Sequence, residues 1–145
     1  MINKTIEQWT RWEPIPNLAE KYYIDSLTDD ANRFSLVLSD MTTRGKNILI
    51  AFENNIYIYR LADEFYKKKL LYELDKRYGS DLCAKWTFFK VTNSLYTQWI
   101  SEQSYGLSNT MQFTHFSIIG GNEVVDILSR YEPKVQFLNS SQENL

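Results

Sequence analysis

Few residues in this chain have the chemistry of a catalytic or metal site. His115 is the only histidine, so we expect no Ser-His-Asp or multi-histidine metal constellation built around two of them. A pair of His115 with a carboxylate remains open as an acid–base couple. Because the alternation over residues 113–117 places His115 in a strand, we predict a structural or interfacial histidine rather than a catalytic one.

The other reactive or phosphate-binding signals are weak. Cys83 is the only cysteine, which excludes an intrachain disulfide and a cysteine zinc site, and we interpret it as a small hydrophobe. The Gly120-Gly121 pair matches neither phosphate-loop pattern and indicates a turn. The lysines at 67–69 point about 100° apart on a helix, which indicates a solvated face. We therefore expect no cofactor and no metal.

Two groups of side chains are candidates for binding. Asp25, Asp29 and Asp30 cluster on the first predicted strand and its turn, where they either meet a basic partner or are exposed turn residues. Tyr57 and Tyr59 alternate with isoleucines on the fourth predicted strand. They form a binding patch if their face is exposed, and they belong to the core if a helix covers that face.

Strands predicted in the first half of the chain hold these candidates. Alternation and short polar turns predict a four-strand antiparallel meander over residues 22–27, 34–38, 46–52 and 56–60. The segment up to Asn17 contains Trp9, Trp12 and two prolines. For this segment we predict a short helix or turn followed by extended chain, and we assign neither tryptophan to the core.

The second half of the chain mixes helices with strands. Apolar residues recurring every four positions predict a helix over 63–78 that ends at Gly79. Asn93 or Ser94 can cap a second helix from Leu95 to about Gln103. The apolar face of this second helix is predicted to consist of Leu95, Tyr96, Trp99 and Ile100. Further strands are predicted over 86–91, 113–119, 124–128 and 135–138.

These elements together predict an α+β fold, with a largely antiparallel sheet and two packed helices. The 145 residues fit one domain over 1–138, followed by a polar tail over 139–145. The net charge of −2 lacks the basic excess that marks many nucleic-acid binders. No apolar stretch approaches the roughly 20 residues of a membrane helix, and no secretory signal begins the chain. We expect a soluble cytoplasmic protein without direct nucleic-acid or membrane contact.

One block of the sequence resembles a known family. Residues 86–94 (WTFFKVTNS), continued by Tyr96, Trp99 and 102–106, are similar to the WTFFKV-NS-Y--W---QS-G block of small bacillar proteins. Further similar positions are Asn17-Leu18, Asp29-Asp30, His115-Phe116, Val125-Asp126-Ile127-Leu128 and Tyr131-Glu132-Pro133-Lys134-Val135. From Trp12 to Val135 the chain resembles immunity proteins (antitoxins, YxxD-type) of LXG polymorphic toxin systems in Gram-positive bacteria.

That resemblance implies a protein that binds the toxic C-terminal domain of a cognate toxin, often a nuclease, and blocks it without catalysis. An acidic, aromatic surface would compete for a basic nuclease cleft. No family motif marks the contact residues, so the candidate toxin-binding residues remain Asp25, Asp29, Asp30, Tyr57 and Tyr59. The alternatives are a small enzyme using His115 with a carboxylate, and an oligomeric regulatory or structural domain. The oligomeric state stays open.

Overall fold

The computed structural model describes residues 6–42, 45–53 and 58–138, and the predicted tail at 139–145 lies outside them. The strands are β1 Gln8–Arg11, β2 Tyr22–Asp29, β3 Phe34–Asp40, β4 Ile48–Phe52, β5 Ile58–Asp63, β6 Phe88–Thr92, β7 Thr114–Ile119, β8 Glu123–Ser129 and β9 Lys134–Phe137. The helices are α1 Lys68–Tyr78, α2 Asp81–Ala84 and α3 Leu95–Gln103. In this part of the chain no helix is both long and apolar enough to cross a membrane.

The strands form two antiparallel sheets, which confirms the predicted α+β class. The five-strand sheet has the order β1-β6-β7-β8-β5, and the four-strand sheet has the order β2-β3-β4-β9. The predicted meander is therefore correct for β2 to β4 and wrong for the strand after them. β5 pairs with β8 in the other sheet, and β9 takes the place beside β4. Alternation identifies a strand, but it does not specify which sheet the strand joins.

The start of the chain is a strand rather than the predicted helix or turn. β1 pairs with β6, and Trp9 lies opposite Val91. Trp9 and Trp12 are both buried in the core. The two prolines, Pro14 and Pro16, follow the end of this strand, so they interrupt none of its hydrogen bonds.

The five-strand sheet is covered on both faces. One face packs against the four-strand sheet, where the rings of Phe88 and Tyr22 lie 5.5 Å apart and those of Phe116 and Phe52 lie 5.6 Å apart. The opposite face is covered in part by α3, and Tyr96 of α3 lies 5.6 Å from the His115 ring. This double covering explains why nearly every residue of β7 and β8 is buried.

The two longer helices end at the predicted positions, and α3 also begins at the predicted residue, whereas α1 begins at Lys68, five residues later than predicted. α1 ends at Gly79, whose φ of 95° suits glycine and whose N–H donates to Asp75 O over 2.9 Å. Residues Glu64–Lys67, predicted as its first turn, form a 3-10 helix. α3 spans the predicted residues, but its predicted apolar face is wrong in part. Tyr96 is buried, whereas Leu95 and Trp99 are more than half exposed at 64% and 52%.

Candidate binding site

A cleft lies over the helix-covered face of the five-strand sheet, with α1 and the 3-10 helix on one side and α3 on the other. Its volume is about 360 Å³. The cleft is lined by Glu7, Trp9, Arg60, Tyr66, Lys67, Lys69, Leu70, Glu73, Leu95, Tyr96 and His115. It thus combines a concave surface with aromatic rings and charged donors, which are features of binding sites.

A chain of buried hydrogen bonds forms the base of the cleft. Ser94 Oγ lies 2.6 Å from His115 Nδ1, and His115 Nε2 lies 2.7 Å from Asp126 Oδ1. Ser94 Oγ also accepts the Thr97 N–H of α3 over 3.0 Å. All these polar atoms are satisfied when the His115 Nε2–H group donates to Asp126 and Nδ1 shares a hydrogen bond with the Ser94 hydroxyl group.

Asp126 connects this chain to Arg60. Arg60 lies opposite Asp126 in the β5–β8 register, and its Nε donates to Asp126 Oδ2 over 2.8 Å. Burial raises the pKa of the Asp126 carboxyl, but the hydrogen bond and charge of His115, together with Arg60, outweigh this effect and lower that pKa to about 2. The carboxylate is therefore ionised at neutral pH and fixes both neighbours.

Arg60 is also stacked on Tyr96. The guanidinium carbon lies 3.9 Å from the centre of the Tyr96 ring, which is a cation–π distance. The Tyr96 ring in turn stacks on Trp99 at 6.3 Å with an interplanar angle of 21°. Burial raises the pKa of the Tyr96 hydroxyl, although the Arg60 charge opposes this. The Arg60 side chain remains 46% exposed and lines the cleft.

The structure joins His115 to Asp126, which is the pair with a carboxylate that the sequence left open, and adds Ser94, which was not predicted as a partner of His115. One histidine suffices, because each imidazole nitrogen takes a different partner. The arrangement differs from a hydrolytic triad, in which the carboxylate binds Nδ1 and the serine binds Nε2. His115 is 2% exposed, and Ser94 Oγ is engaged as a helix cap. Among the described residues no group of three or more His, Cys, Asp or Glu is placed to hold a metal.

The three predicted acidic residues do not form one patch. Asp29 lies opposite the buried Phe34, on the inner face of the four-strand sheet. Asp25 occupies a β-bulge and accepts a hydrogen bond from Ser39 Oγ over 2.8 Å, on the outer face. Asp30 accepts two backbone N–H groups of its turn, and these bonds lower the pKa of its carboxyl. Asp30 is thus a turn-forming residue.

Tyr59 belongs to the interface between the sheets rather than to the cleft. Its ring lies 4.7 Å from that of Phe34, and it is 36% exposed. Burial, together with the charge and hydrogen bond of Asp29, raises the pKa of its hydroxyl. Asp29 and Tyr59 are the two predicted candidates that the structure brings together. Tyr57 lies outside the described residues.

Several residues that line the cleft, and Trp99 stacked on one of them, were not predicted as functional. Tyr96 and Trp99 were interpreted as core, and the lysines at 67–69 as a solvated face, although Lys67 and Lys69 line the cleft. Arg60 follows Tyr59 directly, but its importance depends on the register with Asp126, which no local pattern indicates. The Ser94 cap was predicted, and it was the one available signal that this part of α3 is fixed in place.

The chain was compared with protein-family models, with curated proteins and with solved structures. None of the three comparisons finds a match.

Proposed function

We propose that the protein is a cytoplasmic immunity protein that binds the toxic C-terminal domain of a cognate LXG-type toxin and neutralises it without catalysis. The observation that carries this proposal is a set of three exposed side chains that we call the rim: Tyr66 and Leu95 line the cleft, and Trp99 stacks on the cleft residue Tyr96. All three are more than half exposed, with Tyr66 at 79%. Large exposed apolar side chains around a concave surface are typical of protein–protein interfaces.

The buried polar chain supports binding rather than turnover. Both imidazole nitrogens of His115 are engaged, and Ser94 Oγ already serves two partners. A nucleophile and base in this condition would have to break a helix cap before reacting. The same contacts instead hold Arg60 and Tyr96 in fixed positions, and preorganised side chains reduce the entropy cost of binding a partner.

This proposal moves the toxin-binding surface from the acidic hairpin to the cleft. Asp25 and Asp29 lie on opposite faces of the four-strand sheet, so they cannot contact one flat partner surface together. A nuclease remains one possible toxin class. In that case the inhibitor would act by shape complementarity around its aromatic rim, more than by presenting a continuous acidic surface.

Co-expression with a candidate toxin domain in a sensitive host tests the proposal. We expect the wild-type chain to restore growth and to form a stable complex with the toxin domain during size-exclusion chromatography. Full killing despite abundant soluble protein would reject the pairing. Tyr131→Ala is the matched control for rim variants, because Tyr131 is an exposed tyrosine that lines a different, smaller cavity with Phe52 and Glu53.

A small hydrolase is the second candidate, and the Ser94–His115–Asp126 chain is the observation in its favour. An activated-ester assay that compares the wild type with His115→Ala and Ser94→Ala tests it. Loss of turnover in both variants, with their folding intact, would support the hydrolase. Equal background rates in all three proteins would reject it.

A further inference from the structure

We propose that Arg60 is an anchor for a carboxylate, and that the cleft accepts an aspartate or glutamate side chain of the protein partner. This inference rests on the proposed function, because it specifies which chemistry the partner brings to the same site. From the sequence we expected acidic groups of this chain to meet a basic partner, whereas here a basic group of this chain binds an acidic group of the partner.

The guanidinium group of Arg60 is held in a fixed position. Its Nε is bound to Asp126, its face lies on Tyr96, and its backbone belongs to the β5–β8 ladder. Asp126 is held in turn by His115. An arginine fixed in this way has already lost most of its rotamer freedom, so a ligand that binds it adds little further entropy cost.

Most of the acceptor groups around the cleft are already occupied by donors of the protein itself. Glu7 Oε1 accepts the Trp9 indole N–H over 2.9 Å, and Glu7 Oε2 accepts the Leu95 N–H over 2.8 Å. Both Asp126 oxygens are also occupied. In contrast, the described residues make no hydrogen bond to the outer nitrogens of Arg60. Apart from the Glu73 carboxylate, the charged groups that the cleft offers to a ligand are therefore donors.

The lysines at the edge of the cleft add to these donors. Lys67 and Lys69 line it, and the described residues form no ion pair with either. Glu73 lies four residues after Lys69 on α1, so it offsets that charge in part. Lys67 remains as a second cation that an incoming carboxylate can approach.

The shape of the site also suits a carboxylate. The planar guanidinium matches the planar carboxylate, with two parallel N–H···O bonds. A cavity of about 360 Å³ holds one or two side chains rather than a folded element. Tyr66 and Leu95 line it and Trp99 stacks on Tyr96, and a partner that covers all three exposed side chains has to be a macromolecule. These features together favour an acidic side chain at the centre of a partner surface over a free small anion.

A probe titration tests the carboxylate site without any toxin. N-acetylaspartate N-methylamide is titrated into the isotope-labelled full chain, and amide and side-chain NMR shifts are followed at constant ionic strength. N-acetylasparagine N-methylamide is the neutral isostere. The variants are Arg60→Gln and Arg60→Lys, of which the second keeps a positive charge beside Asp126 and so protects folding. Arg130→Gln is the matched control, because Arg130 also stacks on a tyrosine, at 5.8 Å from Tyr131.

We expect saturable shifts at Tyr96 and Leu95 with the aspartate probe in the wild type and in Arg130→Gln. Affinity should fall at least about tenfold in Arg60→Lys and should be lost in Arg60→Gln. The proposal is overturned if the wild type shows no shift, if the asparagine probe binds equally well, or if Arg60→Gln retains binding.

The toxin complex separates this inference from the proposed function. If the wild type protects the host and a folded Arg60→Gln variant protects it equally at matched expression, the carboxylate anchor is wrong and the immunity function stands. If protection falls with Arg60→Gln and not with Arg130→Gln, both are supported. If the wild type gives no protection against any candidate toxin, the immunity function is rejected and the probe titration alone decides the anchor.

Discussion

Ser94 Oγ lies 2.6 Å from His115 Nδ1, so the residue that caps helix α3 also fixes the imidazole of β7. One hydroxyl group thereby joins a helix to the face of a sheet. Through His115 and Asp126 the same contact extends to Arg60 in β5. The position of Arg60 in the cleft therefore depends on Ser94, the residue that caps α3.

Ser94→Ala should cost about 2–4 kcal/mol of unfolding free energy. The variant loses the cap, worth about 1 kcal/mol, and leaves the buried His115 Nδ1 without a partner, which costs a further 1–3 kcal/mol or so. Asp63→Ala is the control, because Asp63 caps the exposed 3-10 helix through Phe65 N and has no buried partner of this kind. Chemical denaturation measures both variants. Equal losses in the two would show that the bond to His115 contributes nothing.

Stability should fall in acid because of Asp126. The pKa of its carboxyl is about 2 in the folded protein against an ordinary 3.8. The unfolded chain therefore binds more protons between these values, and the contribution is present above pH 4 and lost as the pH falls to 2. The loss should be about 2 kcal/mol in the wild type and absent in Asp126→Asn. Denaturation curves measured across this range, with Asp25→Asn as the control, check it; parallel acid profiles for the wild type and Asp126→Asn would contradict it.

A buried lysine should be as important to stability as the polar chain. Lys21 Nζ donates to the carbonyls of Cys83 at 2.6 Å and Trp86 at 3.0 Å, and also to Ile119. Burial lowers the pKa of its ammonium group to about 8, so the group is still charged at pH 7. Lys21→Met leaves three buried carbonyls without this donor and should cost about 3–5 kcal/mol.

Lys46→Met is the control for this substitution. Lys46 Nζ also binds one carbonyl, that of Asn17 over 2.8 Å, but in an exposed position. Its loss should change the unfolding free energy by no more than about 0.5 kcal/mol. If urea denaturation at pH 7 gives similar values for the two variants, the hydrogen bonds of Lys21 to the three carbonyls do not stabilise the fold.

The elements of this fold could be predicted from the sequence because their signals are local. Ser94 and Gly79 mark helix ends, and alternation marks the strands from Tyr22 onwards. The pairing of β5 with β8 could not be predicted in this way, since it depends on contacts between residues sixty or more positions apart. The same reason explains the error at Trp9, which becomes a core residue only because β1 pairs with β6.

The candidate site was harder to predict than the fold. Arg60 and Asp126 are ordinary charged residues in sequence, and they become a pair through register alone. Tyr96 and Trp99 were predicted to share one buried helix face. They lie three residues apart on the same face of α3, but Tyr96 is buried and Trp99 is exposed to solvent. Hydrophobic spacing defines a helix face, but it does not determine how much of that face another element covers.

The aromatic rim and the buried rings below it should respond differently to truncation. Tyr66→Ala and Trp99→Ala should weaken toxin binding by about 1–3 kcal/mol, because exposed aromatic residues around a cleft are typical hot spots. Tyr66→Ala should leave the melting temperature nearly unchanged, since the Tyr66 side chain is mostly exposed. Tyr96→Ala should instead cost about 3–5 kcal/mol of stability, because Tyr96 is buried beneath Arg60. Calorimetric binding and thermal unfolding measure the two effects separately. Full toxin affinity in both rim variants, with Tyr131→Ala indistinguishable from them, would place the binding surface elsewhere on the molecule.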